Sequence, residues 1–228
     1  MKSLKVDVIV PAAGVGKRMC ATIPKQYLKL SSKTILEHTV DALLECDGVN
    51  SVIVAISRDD EIFDTLGLTK NPRVKKHFGG KERFNTVREA LDIVTTPWVM
   101  VHDAARPLVS KKDIDNLLNL CNTESIGGIL ASPVSDTIKL APSLKIDKTV
   151  SRVDMYRALT PQLFKTQLLI EAIDNAMQKN IAITDDASAV ELLGYKPDIV
   201  IGSADNIKIT NPDDLYLAEA ILNYKKRQ

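Results

Sequence analysis

Short apolar runs and amphipathic stretches alternate along the first half of the chain. Residues 6–10 are β-branched and apolar apart from Asp7, as expected of a parallel strand covered on both faces. Residues 35–44 carry helical spacing, residues 51–56 return to a strand pattern, and a short polar helix leads into a strand over 74–78. The rhythm repeats as a helix over 84–93, a strand over 98–101, a helix over 114–120 and a strand over 126–131. This alternation predicts an α/β fold: a Rossmann-like, mostly parallel sheet with helices on both faces. Sheets of this kind bind ligands outside the carboxyl ends of their strands.

Between Pro133 and Pro161 the pattern changes. Residues 134–140 alternate, 141–148 are polar, and 149–159 are extended again. This reads as a protruding two-stranded β-arm, inserted at 134–159 into a single domain spanning 1–228. A lone hairpin is only marginally stable in water, so the arm is expected to pack on a second subunit and form a homodimer. The alternative is a hairpin folded back on its own domain. Residues 163–177 are amphipathic, 187–193 predict a short helix and 199–201 a strand. Asn211-Pro212-Asp213-Asp214 then opens a terminal helix, with a polar cap, a proline in the first turn and acids at the positive end of the dipole.

Composition narrows the class of partner. With 228 residues and 45% hydrophobic content, the chain can bury a continuous core. The 30 Lys and Arg nearly cancel the 29 Asp and Glu, so no global field draws the protein to nucleic acid or to an anionic membrane, and anion binding must be local. Cys20, Cys46 and Cys121 lack the spacing of a zinc site or a disulfide framework, which fits a reducing cytoplasm. No apolar run approaches the roughly 18 residues of a membrane span.

Candidate chemistry lies at the strand ends. After Val8-Ile9-Val10, Pro11 is expected to stop the ladder, and Ala12, Ala13, Gly14 and Gly16 leave little side-chain bulk, so backbone N–H groups can approach a phosphate or a base edge. Lys17 and Arg18 supply charge. The stretch matches neither GxxxxGK[ST] nor GxGxxG, and an ordinary strand-to-helix turn would look much the same. Pro24-Lys25-Gln26 follows, placing Lys25 near Arg18 or on an exposed turn. In Val99-Met100-Val101-His102-Asp103-Ala104-Ala105-Arg106-Pro107 an apolar strand ends directly in a carboxylate and then an arginine. Asp103 could take Mg²⁺, directly or through water, and Arg106 could fork onto a phosphate or pair with Asp103. His102 reads as structural. Gly79-Gly80-Lys81-Glu82-Arg83 closes a strand and opens a helix, whose first N–H groups could face a ligand. Residues 160–162, 184–186 and 205–208 are polar boundary clusters, and Asp185 and Asp186 suit the start of a helix. The sequence has no GxSxG elbow and no HExxH, so nucleophilic acyl transfer and zinc hydrolysis have little support. Cations, glycines and a carboxylate instead suit phosphoryl-type transfer, in which positioning and charge stabilisation do most of the catalysis.

With these residues in view, the chain resembles the 2-C-methyl-D-erythritol 4-phosphate cytidylyltransferases of non-mevalonate isoprenoid synthesis, nearly end to end. The resemblance rests on Pro-Ala-Ala-Gly-Val-Gly-Lys-Arg-Met (11–19), Pro-Lys-Gln (24–26), Gly-Gly-x-x-Arg (79–83), His-Asp-Ala-Ala-Arg-Pro (102–107), Asp-Thr-Ile-Lys (136–139), Ala-Leu-Thr-Pro-Gln (158–162), Thr-Asp-Asp-Ala-Ser (184–188) and Ala-Asp-Asn-Ile-Lys (204–208). It implies an Mg²⁺-dependent nucleotidyltransferase that joins CTP to methylerythritol phosphate and releases pyrophosphate. It further implies that Ala12, Ala13, Gly14, Gly80 and Thr86 surround the cytidine, and that Gly16, Arg18 and Lys25 surround its phosphates. Asp103, Arg106, Thr184 and Lys208 fall on the acceptor side. Thr137, Arg152 and Thr160 lie on or beside the dimer arm, with Thr137 and Arg152 reaching a neighbouring subunit's acceptor. Arg18, Lys25 and Lys208 are the implied catalytic cations. Lys81 stands where some relatives carry Asp beside the cytosine edge, which leaves backbone groups of Gly80 and Ala13 as candidates sufficient to read the base. A ribitol 5-phosphate cytidylyltransferase is the nearest alternative. A nucleotide-binding regulator without catalysis is a further one, disfavoured by the presence of Arg18, Lys25, Asp103 and Lys208.

Overall fold

The β-branched run at the start of the chain forms the centre of a sheet. In the computed structural model, which describes residues 4–14, 23–80 and 82–227, β1 (Val6–Pro11) pairs in parallel with β4 (Val49–Ile56) on one side and with β6 (Trp98–Val101) on the other. Between β1 and β4 come a small ribbon of β2 (Lys29–Leu30) and β3 (Lys33–Thr34) and then helix α1 (Ile35–Leu44). After β4 the chain passes through two short 3-10 turns to β5 (Val74–Phe78), helix α2 (Arg83–Leu91) and β6. Helix α3 (Lys111–Leu118) leads to β7 (Gly127–Pro133). The hairpin β8 (Ile138–Leu140) and β9 (Lys148–Val150) follows, and then β10 (Tyr156–Lys165), α4 (Thr166–Gln178), α5 (Asp186–Glu191), β11 (Asp198–Ile201) and α6 (Pro212–Lys225).

Among the described residues the central sheet has seven strands, in the order β11-β7-β10-β6-β1-β4-β5. All neighbours are parallel except β10, which runs antiparallel to both β6 and β7. Alternation along the strands sorts the core into two layers. Val6, Val8, Val10 and Met100 pack with Leu36, Val40, Ile114 and Leu117 of α1 and α3, whereas Ile9, Ile53, Val99 and Val101 pack with Val87, Leu91, Leu169 and Ile173 of α2 and α4. The expected α/β sheet with helices on both faces is therefore what forms.

Three local expectations are corrected. Pro11 does not stop the ladder: it is the last residue of β1, and Ala12 still donates its N–H to Ala55 O at 2.7 Å. Because a strand-final proline loses only its own donor, the pairing survives it. Residues 163–165 are strand rather than helix, since Leu163 and Phe164 are paired on both sides, with Met100 and Val99 of β6 and with Gly128 and Gly127 of β7. Pairing with segments remote in sequence overrides the helical spacing that begins there. The second stretch of the arm divides: β9 covers only Lys148–Val150, and Tyr156 onward belongs to the central sheet. The β8–β9 hairpin holds Leu144 and Ile146 exposed at its end.

Candidate active site

The carboxyl ends of β1 and β6 open into a cleft lined by Ala12, Ala13, Gly14, Lys25, Gln26, Gly80, Arg83, Thr86, Asp103 and Lys208, among others. Just beyond β1 the backbone is anchored from behind, where buried Gln26 donates its Nε2–H to Ala12 O at 2.6 Å. Lys25, on the 3-10 turn that also carries Gln26, donates from Nζ to Ile209 O at 2.9 Å, which ties it to the loop bearing Lys208. Opposite, Thr86 Oγ1 donates to Glu82 O at 3.0 Å and shares this with Gly80 O at 3.3 Å. The Gly79-Gly80 turn lies so close to α2 that a Cβ on Gly79 would sit 2.6 Å from Thr86 Cγ2, and one on Gly80 2.7 Å from Asn85 Cβ. Small residues are needed there for close approach.

A second cleft adjoins the first and shares Arg83, Asp103 and Lys208 with it, adding Arg106, Thr160, Gln162, Thr184 and Asp185. Asp103 stands in the shared wall. Its Oδ2 lies 2.9 Å from Lys208 Nζ and 3.3 Å from Arg106 Nε, and its Oδ1 lies 3.3 Å from Arg83 Nε. Burial alone would raise its pKa, but Arg83, Lys208 and Arg106 outweigh it and hold the carboxyl well below the usual carboxylate range. Arg106 is itself buried. Besides pairing with Asp103, it donates from Nη1 to Asn206 O at 2.7 Å, so its fork serves the protein's own groups in this state.

His102 is structural, as the sequence suggested, and its role is specific. Its Nε2–H donates to Arg106 O at 3.0 Å, which leaves Nδ1 to accept from Thr160 Oγ1 at 2.9 Å, while Thr160 Oγ1 accepts from Asp103 N–H at 3.0 Å. This chain of hydrogen bonds needs a neutral ring. Burial pushes the imidazole pKa down to about 4.

The structure thus gathers Ala12, Ala13, Gly14, Lys25, Gly80, Thr86, Asp103, Arg106, Thr160, Thr184 and Lys208 around two contiguous clefts. Thr137 and Arg152 line neither. They are exposed beside the β8–β9 hairpin, where Arg152 donates to Ser135 O. Gly16, Lys17, Arg18 and Lys81 lie outside the described residues. Sequence reasoning gave Arg83 no role of its own, although it closes the Gly-Gly-x-x-Arg motif. Here it forks from Nη1 and Nη2 onto Asp186 at 3.2 and 2.8 Å. Gln26 was likewise unassigned, and only the folded loop reveals its bond to Ala12.

Asp103 was the candidate ligand for Mg²⁺. Among the described residues no three His, Cys, Asp or Glu side chains converge on a common point. A single carboxylate with both oxygens already engaged by three cations does not fit a resident divalent ion, which seeks several hard oxygens. The same cations suit an anionic ligand that carries its own metal.

Adjoining clefts at the carboxyl ends of parallel strands, with a small-residue loop on one side and converging cations between them, define a nucleotidyltransferase-like α/β protein. The comparisons specify which: the chain belongs to the 2-C-methyl-D-erythritol 4-phosphate cytidylyltransferase family, whose model matches residues 6–224. A protein of that name from Aliivibrio fischeri strain MJ11 is 51% identical over 99% of this chain and 97% of its own length. Another from Vibrio cholerae is also 51% identical, over 98% of both chains. Among solved structures, the Francisella tularensis 2-C-methyl-D-erythritol 4-phosphate cytidylyltransferase superposes with a TM-score of 0.81 at 36% identity, covering 95% of this chain and 99% of that one. The Thermus thermophilus enzyme does so with a TM-score of 0.82 at 33% identity, covering 96% and 98%.

Proposed function

We propose that this protein joins CTP to 2-C-methyl-D-erythritol 4-phosphate, forming 4-diphosphocytidyl-2-C-methyl-D-erythritol and pyrophosphate. The observation that supports this reading is the shared wall: Asp103 and Lys208 line both the cleft beside the Gly79-Gly80 turn, read as the nucleotide side, and the adjoining cleft, read as the acceptor side. A phosphate oxygen of the acceptor attacks the α-phosphorus of CTP. The new P–O bond forms as the bond to the β-phosphate bridge breaks, and pyrophosphate leaves with that electron pair. No covalent enzyme intermediate is required. Lys25 and Lys208 neutralise charge developing at the α-phosphate of the transferred cytidylyl group, and Arg18 is assigned the same task. Asp103 orients Lys208 and keeps the cluster of cations from repelling itself apart.

Magnesium belongs to the substrate in this scheme, and bound with the triphosphate it would supply charge neutralisation there. The protein acts in the cytoplasm as a homodimer, with Thr137 and Arg152 on the arm serving the partner's acceptor cleft. The exposed Leu144 and Ile146 at the tip of the hairpin support an arm that packs on another surface.

Parallel turnover assays test the reading, with pyrophosphate release measured from CTP and magnesium plus either methylerythritol phosphate or ribitol 5-phosphate. Methylerythritol phosphate should support turnover at least tenfold better in kcat/KM, the scale of a modest pocket discrimination. Preference for ribitol 5-phosphate would transfer the chain to the polyol-phosphate alternative, and no pyrophosphate from either would leave a nucleotide-binding protein without catalysis. UTP in place of CTP tests the cytidine assignment in the same assay.

A further inference from the structure

Arg83 occupies a position that the proposed reaction leaves unexplained. It is the first residue of α2, the helix that carries Thr86 and adjoins Gly80 on the nucleotide side. Its guanidinium crosses the shared wall, with Nε 3.3 Å from Asp103 Oδ1, Nη1 3.2 Å from Asp186 Oδ1 and Nη2 2.8 Å from Asp186 Oδ2. Asp186 opens α5 directly after Thr184 and Asp185 of the acceptor cleft, and it is only 1% exposed. One planar group therefore joins three elements: α2, the end of β6 and the start of α5. Burial opposes its charge, and Asp186 and then Asp103 more than restore it.

The start of α5 has a second anchor. Gln162 of β10 donates from Nε2 to Asp185 Oδ2 at 2.8 Å and accepts from Ala187 N–H at 2.9 Å. That anchor fixes the acceptor turn to the sheet, whereas Arg83 fixes it to the nucleotide-side helix. Lysine could carry the charge but could not make the three contacts, because its ammonium has no fixed fork. The choice of arginine thus points to geometry rather than charge alone.

We propose that Arg83 is the positioning residue that sets the spacing between the two substrates, by locking the acceptor turn at 184–186 to α2 and to Asp103. The inference rests on the assignment of the two clefts made above. In-line attack tolerates little displacement: a shift of about 1 Å costs on the order of a hundredfold in rate. Loss of the fork therefore separates the reacting groups while leaving the nucleotide cleft formed by residues 12–14, Gly80 and Thr86.

The experiment compares Arg83→Lys and Asp186→Asn with wild type in the full-length protein. It measures kcat, KM for methylerythritol phosphate, and the Kd of CTP with magnesium in the absence of acceptor, by calorimetry. Each variant should lower kcat by roughly ten- to a hundredfold and raise the acceptor KM by about tenfold or more, with the CTP Kd within about threefold of wild type. The double variant should be no more than about threefold worse than the poorer single, because both break the same lock. The proposal is overturned if Arg83→Lys lowers only the melting temperature, if CTP binding weakens as much as the acceptor KM, or if the two single effects multiply. Should Arg83→Lys not fold, Asp186→Asn decides by the same readings. Wild-type protein that shows no turnover would instead remove the reading of both clefts, and this inference with it.

Discussion

His102 shows how a residue that lines neither cleft can govern residues that do. Its neutral ring links Arg106 O, Thr160 and, through Thr160, the backbone of Asp103. The folded-state pKa of about 4 lies below the 6.5 of an unperturbed histidine, so the unfolded chain binds the proton more tightly. The resulting stability is fully present above pH 6.5 and is lost as pH falls from 6.5 towards 4, amounting to about 3 kcal/mol across that window. Urea unfolding of wild type at pH 7 and at pH 4.5 should reveal most of that loss, and His102→Gln should flatten the slope between those values. An unchanged slope in the variant would place the proton elsewhere. The sequence marked His102 as structural, but it could not show the hydrogen bond to Thr160, 58 residues away.

At the scale of elements, the start of α6 holds the loop bearing Lys208. Asn211 accepts from Asp214 N–H at 3.0 Å, and Asp214 Oδ2 accepts from the N–H groups of Thr210 and Asn211 and from Thr210 Oγ1. The Asn-Pro-Asp-Asp sequence predicted this cap. Asn211→Ala should lower stability by about 1 kcal/mol in denaturant unfolding, with a smaller midpoint shift counting against the cap as a structural determinant. Because Lys25 bonds Ile209 O in the same loop, fraying at this end is also expected to raise the KM for CTP. Elements with a local signature were legible in this way: Ile35–Leu44, Val74–Phe78 and Trp98–Val101 form where the pattern places them. Residues 163–165 were not, because a strand inserted antiparallel between β6 and β7 is decided by partners far away in sequence.

For the whole molecule, the proposed dimer makes a quantitative prediction. If each acceptor cleft takes Lys208 from one subunit and Arg152 from the other, Arg152→Ala and Lys208→Ala homodimers should each be nearly inactive. Equal mixing with exchange makes half the dimers heterodimers, each with one intact site of two, so activity should recover to about one quarter of wild type in a symmetric dimer. Recovery to no more than the mean of the two variants would place both residues in one subunit's site. The sequence by itself determined the α/β class, the position of the strand ends and most of the residues around the clefts. Periodicity, small residues and caps are local signals, and the motifs at 11–14, 24–26, 79–83, 102–107 and 204–208 each sit at an element boundary. Only the tertiary structure decided how these boundaries meet. It placed Asp103 among Arg83, Arg106 and Lys208, joined α2 to α5 through Arg83 and Asp186, and set Thr137 and Arg152 apart from both clefts. Contacts between residues as far apart as 83 and 186 depend on strand order and on burial of both partners, which no local window of sequence records.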